Sequence, residues 1–228
     1  MKKSSVLVIM VASFLCLSFL TTAQAYPVSI GQEIKFENGP GNTNGGEFRV
    51  YNYSDITSTT ELFRSFCLET NEYINYGTKF IVGDISTEAR SGGSGGGSGG
   101  PNSADPLDAR TAYLYHHFYW GDLTEYDYNG ANRAASADAL QKAIWYFEEE
   151  TAWQNQAENF YVKLANQAVT DKSWSGLGDV RVINLEYPNG TRAQDQLTVA
   201  PVPEPATMLL LGTGLIGLAG MGRKKFRK

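Results

Sequence analysis

Cysteine and histidine are the chemically active residues this chain has least of, with two of each in 228 residues. The cysteines are Cys16 and Cys67, and the histidines are the neighbours His116 and His117. Two thiols cannot build a disulfide framework. Adjacent histidines on a helix point about 100° apart, which excludes easy joint ligation of one metal ion. They read instead as amphipathic surface or boundary positions. Cations are scarce as well. Between Tyr26 and Ala200 there are 12 Lys and Arg against 23 Asp and Glu, a net charge near −11. Such a surface repels phosphate backbones, so nucleic acid is excluded as a partner.

Other absences are absences of motif. Ser91 to Gly100 is nearly pure Gly and Ser, but no Gly-Lys-Ser/Thr ending follows it. It is predicted to be a flexible surface loop, not a nucleotide cradle. Asp122, Glu125 and Asp127 lack the Asp-x-Asp-x-Asp spacing and distal Glu of a calcium loop. A glycosidase pair would need carboxylates about 5–9.5 Å apart, and the setting of these three between Gly121 and Gly130 reads as a loop. Glu148, Glu149 and Glu150 at a helix end oppose the macrodipole and are expected to form a solvated acidic patch. No motif speaks for a hydrolase, and no cofactor or metal is called for.

What the chain does have is concentrated first at its ends. Lys2 and Lys3, the apolar run Val6 to Leu20 and Ala23-Gln24-Ala25 form a basic n-region, an h-region and a small-residue cleavage site. Residues 1–25 are therefore expected to be a signal peptide, removed to leave Tyr26 first. Phe14 and Leu15 are too bulky for a lipobox, so Cys16 should leave with that peptide. The other end reads Val202-Pro203-Glu204-Pro205, then an uncharged run from Ala206 to Met221, then Arg223, Lys224, Lys225, Arg227 and Lys228. As a helix, 206–221 would reach about 24 Å, enough to span a thinned bilayer. The basic cluster would stop translocation and hold the C-terminus in the cytoplasm.

This tail resembles the PEP-CTERM sorting signal of Gram-negative bacteria. The resemblance implies secretion machinery and an exosortase as partners, with the inner membrane as a transient station. It also implies a final place at the cell surface or in the extracellular matrix, around exopolysaccharide and biofilm.

The middle, 26–200, has the length and the aromatic content of one domain. Val28 to Phe36, Phe48 to Tyr53, Leu62 to Leu68 and Lys79 to Ile85 are predicted strands, separated by clusters such as Asn38-Gly39-Pro40-Gly41. A helical insert at about 105–169 follows. Asp105 is expected to cap its first helix with Pro106 inside, and Leu107, Thr111, Leu114 and Phe118 mark one face. Ser136 should cap a second, with Leu140, Ile144 and Phe147 in a stripe. Trp153, Ala157, Phe160, Leu164 and Ala168 mark a third. Val180 to Glu186, a turn at Tyr187 to Gly190, and Arg192 to Val199 return to strand. The fold class is α+β: a β-sandwich or barrel-like domain with an inserted α-helical segment, plus a C-terminal transmembrane sorting helix.

With the signal peptide gone, Cys67 is the lone thiol of an exported protein, where cysteines usually pair. It is either a small buried hydrophobe or a reactive device. Phe66-Cys67-Leu68-Glu69 at a strand end and Leu140-Gln141-Lys142-Ala143-Ile144-Trp145 on the second helix together resemble the thioester domain of bacterial surface adhesins. The resemblance implies an intramolecular thioester, with Cys67 as the sulfur partner, Gln141 as the acyl donor, and Phe66 and Trp145 as shielding. The implied role is covalent attachment to a surface protein or polysaccharide ligand. The alternative is a passive structural or polysaccharide-associated matrix protein with an inert cysteine.

Overall fold

The computed structural model describes residues 26–42, 45–53, 60–92, 103–200 and 213–214. The chain divides into two units: Tyr26–Ala200, and Met1–Ala25 together with Pro201–Lys228. Of the second unit only 213–214 is described, as helix with both residues exposed. The expected signal peptide, the Val202 to Pro205 motif, the span 206–221 apart from that pair, and the basic cluster lie outside the described residues. So does most of the Ser91 to Gly100 loop. Among the described residues no helix is long and apolar enough to cross a membrane.

The unit Tyr26–Ala200 is a mixed α/β fold. Its strands are β1 (Glu33–Glu37), β2 (Phe48–Asn52), β3 (Glu61–Ser65), β4 (Phe80–Ser86), β5 (Glu88–Ala89), β6 (Asp105–Pro106), β7 (Val180–Glu186) and β8 (Gln196–Val199). Between β6 and β7 lie α1 (Ala109–Trp120), α2 (Arg133–Phe147), a 3-10 turn (Thr151–Trp153) and α3 (Phe160–Thr170). Strand β1 shows why these segments extend. Its Glu-Ile-Lys-Phe-Glu alternation buries Ile34 and Phe36 and leaves the charges outward, the period-2 pattern of a half-buried strand.

Six strands form one antiparallel sheet in the order β3-β2-β1-β4-β7-β8. The two ends of that order meet. Just beyond β3, Cys67 bridges Gln196 of β8. Leu197 N–H donates to the Phe66 carbonyl at 3.0 Å and Leu68 N–H to the Asp195 carbonyl at 3.3 Å. The sheet thus closes on itself, barrel-like, and is not split into the two layers of a sandwich. Cys67 lies on the closing seam.

Two apolar cores result. One fills the sheet's inside with Ile34, Phe36, Val50, Phe80, Val82, Ile183 and Leu185, and includes Cys67 and Trp145. The other joins the helices to the outer face of β7 and β8 through Val180, Val182, Leu197 and Val199. Helix α2 serves both. Leu140, Ile144 and Phe147 enter the helical core, while Trp145 enters the sheet core. Fully burying Leu140 and Ile144 contributes about 1.5–3 kcal/mol each.

Several boundaries differ from the sequence expectation. The first strand starts at Glu33, not Val28, because Gly31 takes φ 84° and Gln32 N–H turns back to the Ser29 carbonyl. The third strand stops at Ser65, leaving Cys67 to a bridge. The last strand starts at Gln196. The Tyr187 to Gly190 turn forms as expected, with Gly190 N–H on the Tyr187 carbonyl at 2.8 Å.

The first helix is capped by Asp108, whose Oδ1 accepts from Arg110 N–H at 2.7 Å. Asp105 and Pro106 instead pair with β5. The second helix starts three residues before Ser136, behind Asn132, and Ser136 Oγ accepts the Asp127 N–H from inside the helix. The third is capped by Asn159, so Trp153 sits in the separate 3-10 turn. The first and third helices begin where a side-chain oxygen reaches a free N–H, at Asp108 and Asn159, whereas Asn132 starts the second without such a bond.

Candidate functional site

Cys67 and Gln141, 74 residues apart in sequence, meet in the interior. Neither has any exposed surface. Cys67 arrives on the closing seam between β3 and β8, and Gln141 on the inward face of α2, one turn before Trp145. The Cys67 Sγ lies 3.4 Å from Gln141 Oε1. Besides this thiol contact, three hydrogen bonds with the main chain orient the amide. Its Oε1 accepts from Gly46 N–H at 2.8 Å and from Cys67 N–H at 3.3 Å, and its Nε2 donates to the Cys67 carbonyl at 2.8 Å. Two N–H donors on one side and a carbonyl on the other leave one orientation for the group.

Burial pushes the Cys67 thiol well above its ordinary range, and the Glu69 carboxylate adds to the rise, with the Trp145 indole N–H acting against it. The sulfur is therefore held as a neutral thiol, shielded from solvent electrophiles. Glu69 is buried and pushed well up by burial, then by Asp195 and Glu72. One of its oxygens accepts from Asp195 N–H at 3.1 Å, while the other has no hydrogen-bond partner. Burial also raises Asp195, to about 7.

The two expected shielding residues occupy different sides. Trp145 packs in the core that holds Cys67, stacked on Trp153 at 5.0 Å between ring centres. Phe66 points the other way, as the neighbour of an inward residue must. It joins the helical core edge-on to Phe118 at 4.9 Å. A cavity of about 200 Å³, lined by Glu69, Thr70, Glu72, Tyr73, Trp145, Trp153 and Gln194, opens beside Trp145 and Glu69.

Other expectations fare unevenly. Glu148 and Glu150 are buried, contrary to the solvated acidic patch, and only Glu149 of the three is exposed. Burial raises the Glu148 carboxyl to about 8. The reason is geometric: the helix ends at Phe147, and the turn that follows folds Glu148 back to accept the Asp108 N–H at 3.3 Å. The histidines lie half-buried at a boundary, each on its own carboxylate. His116 is 2.5 Å from Asp179, and His117 is 2.9 Å from Asp122. Asp122, Glu125 and Asp127 do lie in a loop. Among the described residues no group of His, Cys, Asp and Glu could hold a metal ion.

Sequence reasoning missed two things. One is the Gly46 amide, because a backbone donor has no signature beyond the Gly/Asn-rich run that contains it. The other is a buried charge cluster next to it. Glu47, with no side-chain exposure, pairs with Arg64 and Arg133 and accepts from Tyr126 Oη at 2.7 Å. Burial alone would raise its carboxyl. The hydrogen bonds from Arg133, Arg64 and Tyr126 overturn that and hold it below the ordinary range.

Residues 201–224 match the family model of the PEP-CTERM protein-sorting motif. Neither a curated protein nor a solved structure matches the chain. The motif makes this an exported protein processed by an exosortase, passing through a membrane-anchored intermediate in a Gram-negative cell.

Proposed function

We propose that the exported domain is a single-use covalent attachment module at the cell surface or in the extracellular matrix, built on an internal thioester between Cys67 and Gln141. One observation carries the reading. The fold closes its sheet at Cys67 and aims α2 so that the lone thiol lies 3.4 Å from the amide oxygen of Gln141. That puts the sulfur within about 4.6 Å of the carbonyl carbon, one C=O bond further on.

The residue types suit the chemistry. Sulfur addition to the amide carbon with loss of ammonia gives a thioester, which is more electrophilic than the amide it replaces. A nucleophile on a surface protein or polysaccharide ligand then takes the acyl group and expels the thiol. Complete burial protects such a bond from water, and Trp145 stands between the pair's core and the neighbouring cavity. Each molecule reacts once, so the module is not an enzyme.

Thiol alkylation tests this. The exported protein, unfolded rapidly without amines, should leave Cys67 unalkylated. Prior methylamine should free that thiol and leave a methylamide on Gln141. If Cys67 alkylates fully without methylamine, the thioester is absent and the passive matrix component becomes the better reading.

A further inference from the structure

The cradle around Gln141 does more than orient the side chain. Both N–H groups that reach Oε1, from Gly46 at 2.8 Å and Cys67 at 3.3 Å, belong to the main chain. The site they occupy has no exposed surface at either Cys67 or Gln141. Oε1 is also the atom on which negative charge must develop when sulfur adds to the amide carbon. Fixed donors aimed at such an atom, away from water, lower the barrier with no reorganisation.

We infer that the Gly46 and Cys67 main-chain amides form an oxyanion site for Gln141, and that it activates this glutamine as an acyl donor. The inference rests on the proposed thioester and adds the group that promotes its making and breaking. In formation the Cδ–Sγ bond forms and the charge on Oε1 is held by the two amides. The Cδ–Nε2 bond then breaks, and the nitrogen leaves as ammonia with the proton the thiol gave up. In opening, an amine adds to Cδ, the same amides hold the charge, and the Cδ–Sγ bond breaks. The sulfur recovers a proton from the amine.

The segment that brings Gly46 is built for close approach. A Cβ on Gly45 would lie 2.6 and 2.7 Å from two atoms of the Trp145 ring and 3.0 Å from Gln141 Cγ. Only glycine lets the backbone lie this near to both. Gly46 takes φ 104°, a region other residues rarely adopt. The segment is tied down on both sides. Asp138 Oδ1 accepts the Asn42 N–H at 2.5 Å, and Glu47, directly after Gly46, is locked by its two arginines.

Gly45→Ala should push Gly46 off Oε1. Loss of an oxyanion donor slows acyl transfer about 100–1000-fold, so partial displacement should slow two rates at least about tenfold: ammonia loss during refolding and methylamine opening of whatever thioester forms. The native protein should protect the Cys67 thiol from alkylation as well as before, which separates lost activation from lost packing. If Gly45→Ala does not fold, Asp138→Ala cuts the outer tether without entering the centre, and it should slow both rates about threefold or more. Wild-type rates in a folded variant overturn the inference and leave the thioester standing. A wild-type protein of full calculated mass overturns both.

Discussion

Two buried polar sites stand side by side, joined through the Gly46–Glu47 peptide, and both fasten α2 to the sheet. At Glu47 everything is compensated. The carboxylate has two guanidinium partners and a tyrosine hydroxyl, and it is held below its ordinary pKa range. At Cys67–Gln141 both polar atoms of the amide are hydrogen-bonded, but the thiol has no charged partner and is pushed well up by burial. The first site is a clamp, because every polar atom is spent on holding the structure. The second keeps a neutral thiol 3.4 Å from the oxygen of an amide whose carbon is a latent electrophile. Proximity of that kind, in a dry site, is what intramolecular chemistry requires.

If the comparison is right, breaking the clamp should cost most. Arg64→Ala with Arg133→Ala leaves Glu47 as an uncompensated buried charge, and stability should fall by about 3–5 kcal/mol in denaturant unfolding. Glu148 offers the next effect, as a buried carboxyl in no salt bridge among the described residues, raised by burial from 4.5 to about 8. Between those values the folded chain holds a proton that the unfolded chain has lost. Its contribution is therefore complete below the unfolded pKa and is lost as pH rises through the folded one. Melting temperature should drop from about pH 5 to about pH 8, and Glu148→Gln should flatten that slope, worth at most about 4 kcal/mol over this window.

Measured against wild type already opened with methylamine, so that loss of the cross-link is not counted, the reactive pair should cost less stability and all of the chemistry. Gln141→Ala leaves the Gly46 and Cys67 amides without their acceptor, a loss of about 1–3 kcal/mol, with no methylamine incorporation by mass spectrometry. Cys67→Ala removes only a small buried group. It should lower stability by about 1 kcal/mol or less and abolish incorporation equally. A Cys67→Ala loss as large as that of the arginine pair would mean that the cysteine is a packing residue.

The legible parts of the molecule were those that one segment decides by itself. Alternation in β1, the Tyr187 to Gly190 turn and the α2 stripe each follow from local pattern, while Cys67 stood out as a lone thiol and Gln141 through the resemblance of its helix motif. The strand closure that makes the sheet barrel-like was not legible, since it depends on Phe66 to Leu68 meeting Asp195 to Leu197 across the whole insert. Glu148 and Glu150 misled because their charge suggests solvent, while the turn after Phe147 folds them inward. Phe66 was chosen by adjacency, yet adjacency on a strand sends it to the opposite core. Gly46 acts through its backbone, which side-chain reasoning cannot see.

Intact mass of the freshly purified exported protein tests the central claim most directly, measured in amine-free buffer beside Cys67→Ala and Gln141→Ala. With the thioester intact, the wild type weighs one ammonia less than its processed sequence, methylamine adds its whole mass to that species, and neither variant shows the deficit or the gain. A wild type at full calculated mass, with no change in mass on methylamine treatment, would contradict that claim.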